Sequence, residues 1–177
     1  ETILPAFKLL QDAVQQRWPN SNLQLEVAAE YMIDEFFLQH LEQHDPLLMN
    51  KQYMLIEFPL QGAAPNYKEA IFEIRLNDYF PILAHPERYV YAAHNNFFFE
   101  ELKDWGCLFQ LNLFSVLGGY GKEVRRLADK LLKKEMYDLV GTDIHKRQHG
   151  ADLCSPATMA LLGKAIGSYP FRNTAIL

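Results

Sequence analysis

The sequence predicts an α/β fold built on a parallel sheet, and three observations carry that expectation. Short apolar runs alternate with amphipathic helical stretches along the whole chain, the pattern of parallel strands joined by crossover helices. The polar residues at the ends of those runs fall at 30, 57, 85, 112 and 143, in steps of 27, 28, 27 and 31 residues. Each step matches one strand–helix unit, and no sequence repeat accompanies it, so the regularity is architectural. Finally, 177 residues, 49% of them hydrophobic and 22% charged, suffice for one packed domain and argue against disorder.

Residues 2–18 set Ile3, Leu4, Phe7, Leu10, Ala13, Val14 and Trp18 at helical period, with Pro5 tolerated in the first turn. Pro19-Asn20-Ser21-Asn22 breaks that helix. Residues 23–29 alternate and then turn apolar, a strand reaching Glu30. A short helix over 34–41 and the loop His44-Asp45-Pro46 follow. Residues 53–58 form a second buried strand, carrying Glu57 near its end and stopped by Pro59. The helix over 67–79 turns Ala70, Ile71, Ile74 and Leu76 inward. Residues 81–85 are the third strand, ending on His85, where Pro86 disfavours continuation into helix.

The helix over 95–105 ends at Gly106, a fitting C-terminal cap. Residues 107–113 make the fourth strand and bring Asn112 to its end. Gly118, Gly119 and Gly121 mark a turn; they lack the Lys-Ser/Thr pair of a phosphate cradle. An amphipathic helix over 121–135 carries a solvated basic face. The fifth strand, 137–141, runs into Thr142-Asp143-Ile144-His145, and a helix near 157–165 and a tail over 171–177 close the chain.

A net charge of −5 is a poor match for a nucleic-acid binder, which needs clustered Lys and Arg. No run of 18 apolar residues offers a membrane span, and no secretory signal precedes the domain. Two cysteines, Cys107 and Cys154, do not make a disulfide framework, so a reducing cytoplasmic setting is expected. Neither has Arg six residues on, which removes a cysteine-based phosphate-loop phosphatase. The chain starts at Glu1, directly in a helical pattern, and reads as an interior start.

Side chains at the carboxyl ends of parallel strands converge on one mouth. Here those ends offer Glu30, Glu57, His85, Asp143 and His145. Asp143 and His145 are two apart, so in an extended segment they face the same way. Taken singly, Glu30 reads as a surface acid and His85 as a satisfied core histidine. Together, three carboxylates and two imidazoles in one mouth would repel and desolvate one another unless divalent metals were bound. Mixed oxygen and nitrogen donors suit Mn, Fe or Zn better than Ca. Arg88 either pairs with Glu87 or Asp78, or faces an oxyanion at the mouth. Arg147 and His149 are candidates to add positive charge to the same rim.

Five segments occur in order: Ala-Ala-Glu-Tyr (28–31), Tyr-Met-Leu-Ile-Glu-Phe (53–58), Pro-Ile-Leu-Ala-His-Pro-Glu-Arg-Tyr (81–89), Gly-Cys-Leu-Phe-Gln-Leu-Asn (106–112) and Val-Gly-Thr-Asp-Ile-His (140–145). With the tail Asn-Thr-Ala-Ile-Leu (173–177), they resemble the PHP-class bacterial protein-tyrosine phosphatases of the CpsB/CapC/YwqE type over essentially the whole chain. The resemblance implies a distorted (β/α)7 TIM-like barrel with divalent metal ions, about three in the complete site and often manganese. It implies hydrolysis of phosphotyrosine on bacterial tyrosine kinases that regulate capsule and exopolysaccharide production. By the same resemblance Glu30, Glu57, His85, Asp143 and His145 match metal ligands and Arg88 a phosphate contact, with Arg147 matched loosely to a second arginine. Family members begin with a His-x-His strand and an Asp-Asp-Gly loop. Neither precedes Glu1, so residues 1–177 are expected to form a single phosphatase domain lacking its N-terminal strands and a complete metal site. Two further readings stand beside this one: a small-molecule phosphoesterase such as a histidinol-phosphate-type phosphatase, and a non-catalytic partner-binding PHP barrel. The sequence leaves the oligomeric state open.

Overall fold

The computed structural model describes residues 3–176, apart from the side chain of Asn96. Thr2 and Leu177, which the sequence assigns to the first helix and the tail, lie outside the described residues. Five strands form one sheet: β1 (Glu30–Met32), β2 (Tyr53–Glu57), β3 (Phe80–Ala84), β4 (Leu108–Asn112) and β5 (Leu139–Gly141). Their order is β1-β2-β3-β4-β5, and every neighbouring pair is parallel. The expected parallel α/β architecture is therefore present.

The monotonic order has a physical consequence. Crossovers of one hand, each stepping to the next strand, lay the helices on the same face. Alternate strand residues Met54, Ile56, Leu83, Phe109 and Leu111 pack there with Phe37 of α2 (Phe37–Gln43), Ala70, Ile71 and Ile74 of α3 (Tyr67–Leu76), Phe99 and Leu102 of α4 (Asn96–Asp104), and Leu127, Ala128 and Leu131 of α6 (Lys122–Lys133). The opposite face carries a smaller cluster of Ile82, Leu139 and Ile176 beside Tyr53, Leu55 and Leu108. Apolar contact holds the helices more than charge does. On α6, Val124, Leu127, Ala128 and Leu131 are buried, and each large aliphatic side chain contributes about 1.5–3 kcal/mol. The exposed Lys134–Glu100 ion pair is of the kind worth about 0–1 kcal/mol.

A closed TIM-like barrel is not formed by the described residues. β1 and β5 are the two edges of an open sheet and do not pair with each other. Smaller departures have local causes. Residues 23–29 are not a strand: they find no ladder partner, and pairing starts only at Glu30. Three short α-helices escape the sequence reading, α5 (Leu113–Leu117), α7 (Arg147–Leu153) and α9 (Asn173–Ile176); at five, seven and four residues they are too brief to show a period. α5 starts where the Asn112 side chain accepts the Phe114 N–H. Gly106, at φ +84°, ends α4 as expected: its N–H meets the Lys103 carbonyl and the Cys107 N–H meets that of Leu102, the Schellman arrangement.

α1 (Ile3–Arg17) forms as expected but buries no residue. α8 (Pro156–Ile166) and α9 (Asn173–Ile176) follow β5. The Asn173 amide accepts from the Val140 N–H at 3.0 Å and donates to the Val140 carbonyl at 2.9 Å, clasping the edge strand β5. Among the described residues no helix is long and apolar enough to cross a membrane.

Candidate metal centre

Three adjacent strands bring three donors to one point. β1, β2 and β3 are neighbours about 4.8 Å apart, a spacing that a carboxylate or an imidazole can bridge, although Glu30 opens β1 level with Leu55 while Glu57 and His85 stand at the ends of β2 and β3. Glu30, Glu57 and His85 each offer one ligand atom, and those atoms lie within 4.8 Å of one another. His85 Nε2 is 3.4 Å from Glu30 Oε1 and 3.5 Å from Glu57 Oε2. These separations are too long for tight hydrogen bonds. They match the spacing of two donors around one cation, roughly 3.4 Å for tetrahedral bonds of about 2.1 Å. The donor set, one imidazole and two carboxylates, fits a divalent metal.

Backbone geometry aims His85. Its N–H still pairs with the Gln110 carbonyl at 2.8 Å, so the sheet holds it one residue beyond β3. The backbone then turns left-handed at φ 38°, and Pro86–Arg88 form a short 3₁₀ turn. Left-handed backbone at a non-glycine costs on the order of 1 kcal/mol, and such strain is held where the surroundings fix it. Tyr89 supplies part of that fixing. Its ring is fully buried, and its hydroxyl donates to the Ala84 carbonyl and accepts from the Phe58 N–H, both at 3.0 Å. It braces the end of β2 to the end of β3, and so Glu57 to His85.

The charges are mutually tuned. Burial opposes a charged imidazole at His85, but Glu30 and Glu57 outweigh it and push its pKa up to about 9. The facing His85 imidazole in turn holds Glu57 below the usual carboxylate range, against a smaller opposing effect of burial.

The remaining expected residues divide. Arg88, Asp143 and His145 line the same mouth as the three donors, a cavity of about 300 Å³. Asp143 has 12% of its side chain exposed and receives Arg88 Nη1 at 3.5 Å. Arg88 therefore pairs with neither Glu87 nor Asp78. Asp143 and His145 do not share an extended segment, because Asp143 is left-handed at φ 48°. His145 folds back instead, with Nδ1 3.0 Å from the Asp143 carbonyl and 3.1 Å from Oδ1, and its side chain stays 70% exposed. Arg147 opens α7 as an exposed residue and is not among those lining the mouth. His149 packs on the Phe114 ring, 4.8 Å between centroids.

Sequence reasoning missed three contributors to the mouth. Asn112 is buried, and its Nδ2 donates to Asp143 Oδ2 at 2.9 Å. Tyr120, in the glycine turn, lies 4.6 Å beneath the Arg88 guanidinium and completes the wall. Glu87 is fully buried behind the site, accepting from the Asn112 N–H at 3.0 Å and the Tyr137 hydroxyl at 2.9 Å. The signal for Asn112 was its place at a strand end; nothing local marked the other two. Cys107 is no nucleophile, since burial pushes its thiol up to about 12.

The chain is similar to several known proteins. The chain is 31% identical over 125 residues to CapC of Staphylococcus aureus, covering 70% of this chain and 49% of that protein. It is 31% identical over 109 residues to the tyrosine-protein phosphatase YwqE of Bacillus subtilis, covering 60% and 42%. It is 29% identical over 114 residues to the tyrosine-protein phosphatase CpsB of Streptococcus pneumoniae, covering 61% and 47%. The chain thus matches about half the length of these relatives. Its fold is shared with a solved structure described as "Crystal structures of YwqE from Bacillus subtilis and CpsB from Streptococcus pneumoniae, unique metal-dependent tyrosine phosphatases". The TM-score is 0.77 at 23% identity, over 97% of this chain and 69% of that one. The family described as capsular polysaccharide synthesis, CpsB/CapC, matches residues 1–169, a span that takes in all five strands and the whole mouth, and the chain belongs to that family.

Proposed function

We propose that this chain carries the catalytic mouth of a metal-dependent protein-tyrosine phosphatase acting on a bacterial tyrosine kinase that regulates capsule or exopolysaccharide production. The observation that carries the reading is the convergence of Glu30, Glu57 and His85 within 4.8 Å in a CpsB/CapC chain. The monotonic strand order supports placing the five strands on one arc of a PHP-type (β/α)7 barrel.

In this reading Glu30, Glu57 and His85 hold one divalent ion, and Asp143 and His145 face a neighbouring one. Manganese suits the oxygen-rich donors best, with iron or zinc as alternatives. Such ions, when bound, supply Lewis acidity toward the phosphoryl oxygens and lower the pKa of water. The chain's own groups do the rest. Asn112 fixes the Asp143 carboxylate through Oδ2. Tyr120 supports Arg88 from below, and the guanidinium nitrogens not turned to Asp143 would take phosphoryl oxygens. Arg147 would join only by a movement of the start of α7.

The deciding experiment is turnover of a phosphotyrosine peptide against histidinol phosphate by the manganese-loaded protein, with EDTA as control. Preference for the peptide and loss with EDTA are expected. Preference for histidinol phosphate would favour a small-molecule phosphoesterase, and no turnover of either would favour a partner-binding barrel. Arg88→Ala should raise KM for the peptide roughly 10–100-fold, the worth of a charged hydrogen bond of about 1.5–3 kcal/mol, with metal content unchanged.

Metal uptake should also depend on pH. A ligand imidazole must be neutral, and His85 without metal titrates at about 9, above its ordinary 6.5. Below that value each ion entering displaces a proton. Apparent affinity should therefore rise about tenfold per pH unit from neutrality and level off above pH 9. Calorimetry at pH 7 in buffers of different ionisation enthalpy should register close to one proton released per ion at this site. No release would contradict the assignment of His85.

A further inference from the structure

A second depression adjoins the mouth. It has a volume of about 430 Å³ and lies between the first turns of α6 and the loop that follows β3. Its floor is apolar and open, with Leu60 43% and Tyr91 36% exposed. Its rim holds Arg126, Lys130 and His94 against one acid, Glu123. Lys130 spends one donor on the Ala93 carbonyl at 2.9 Å and keeps two. On a chain with net charge −5, this rim is a local reversal of sign.

The two depressions are lined from the same two chain segments. On one, Arg88 lines the mouth and Val90 the second cleft; on the other, Tyr120 lines the mouth and Glu123 the second cleft. Two and three residues of chain span at most about 7 and 11 Å. An extended peptide advances about 3.3 Å per residue. A peptide with its phosphotyrosine in the mouth and its chain directed along these segments would bring the side chains two to three residues away within reach of this cleft.

We propose that the cleft is a subsite for acidic residues flanking the phosphotyrosine, an inference that rests on the phosphatase reading. Its occupant is an extended, acidic peptide segment: carboxylates meet Arg126 and Lys130, and the aliphatic parts of the segment lie on Leu60 and Tyr91. The subsite confers sequence preference on a reaction whose chemistry takes place next door.

The test uses the metal-loaded protein and two peptides carrying a non-hydrolysable phosphotyrosine analogue. They differ only in Asp and Glu against Asn and Gln at the positions two and three residues from it. Fluorescence anisotropy should show the acidic peptide binding at least fivefold more tightly. The preference should fall below twofold in Arg126→Glu/Lys130→Gln. Arg126→Gln alone, which keeps the Lys130 bond to Ala93, should give an intermediate value. Neither position belongs to the buried face of α6, so the fold is spared. Equal binding of the two peptides to the wild type, or an undiminished preference in the double variant, overturns the subsite and leaves the phosphatase reading intact. Failure of both peptides to bind overturns both.

Discussion

Replacing His85 with alanine is expected to remove at least one equivalent of metal and nearly all turnover while leaving the fold in place. The reason is electrostatic. His85 is the only cationic or neutral donor within the group, and without it Glu30 and Glu57 face each other with no nitrogen between them. The metal's share of transition-state charge stabilisation is several kcal/mol, so its loss should slow turnover on the order of a thousandfold. Metal analysis of the purified variant and kcat on a phosphotyrosine peptide check this, with circular dichroism as the folding control. An enzyme that keeps both its metal and its rate after this change does not use this centre.

Tyr89→Phe should produce a large stability loss from removal of a single atom. The ring stays and fills the same space among Phe58, Tyr91 and His85. Only the hydroxyl goes, leaving the Phe58 N–H without a partner and the Ala84 carbonyl with one fewer. A buried group left unsatisfied costs about 1–3 kcal/mol, so a loss of roughly 2–4 kcal/mol is expected. For a chain of this size that lowers Tm by about 5–15 °C, measurable by calorimetry. Because the hydroxyl ties β2 to β3, metal affinity should fall too. A variant as stable as the wild type would show that the brace carries no load.

The strand ends were legible because a buried run that stops on a charged residue is unusual enough to locate without a structure. Glu57, between Ile56 and Phe58, and His85, before Pro86, are of this kind, and they meet where the pattern put them. Glu30 was placed by the same logic for a partly mistaken reason: it opens β1 rather than ending it, yet its carboxylate still comes to 3.4 Å from His85 Nε2. Asp143 and His145 show the limit of periodicity. Two residues apart means one face only in an extended backbone, and φ 48° at Asp143 breaks that condition. Tyr120 and Glu87 were illegible because their roles depend on partners 32 and 25 residues away, Arg88 and Asn112. The monotonic strand order was likewise beyond the sequence, since alternation specifies parallel strands but not their sequence across the sheet.

The Asn173 clasp on Val140 bears on how this molecule could associate with its own kind. A side-chain amide has the same donor and acceptor as a peptide group, so at Val140 the outer rim of β5 is already answered from within the chain. A ribbon of copies joined strand to strand grows only if each molecule offers two receptive rims. With that rim stoppered, β5 offers no free peptide group at Val140 to a further strand. The tail thereby shields this stretch of β5, while Ile176, three residues on, packs with Ile82 and Leu139 on the sheet's smaller apolar face.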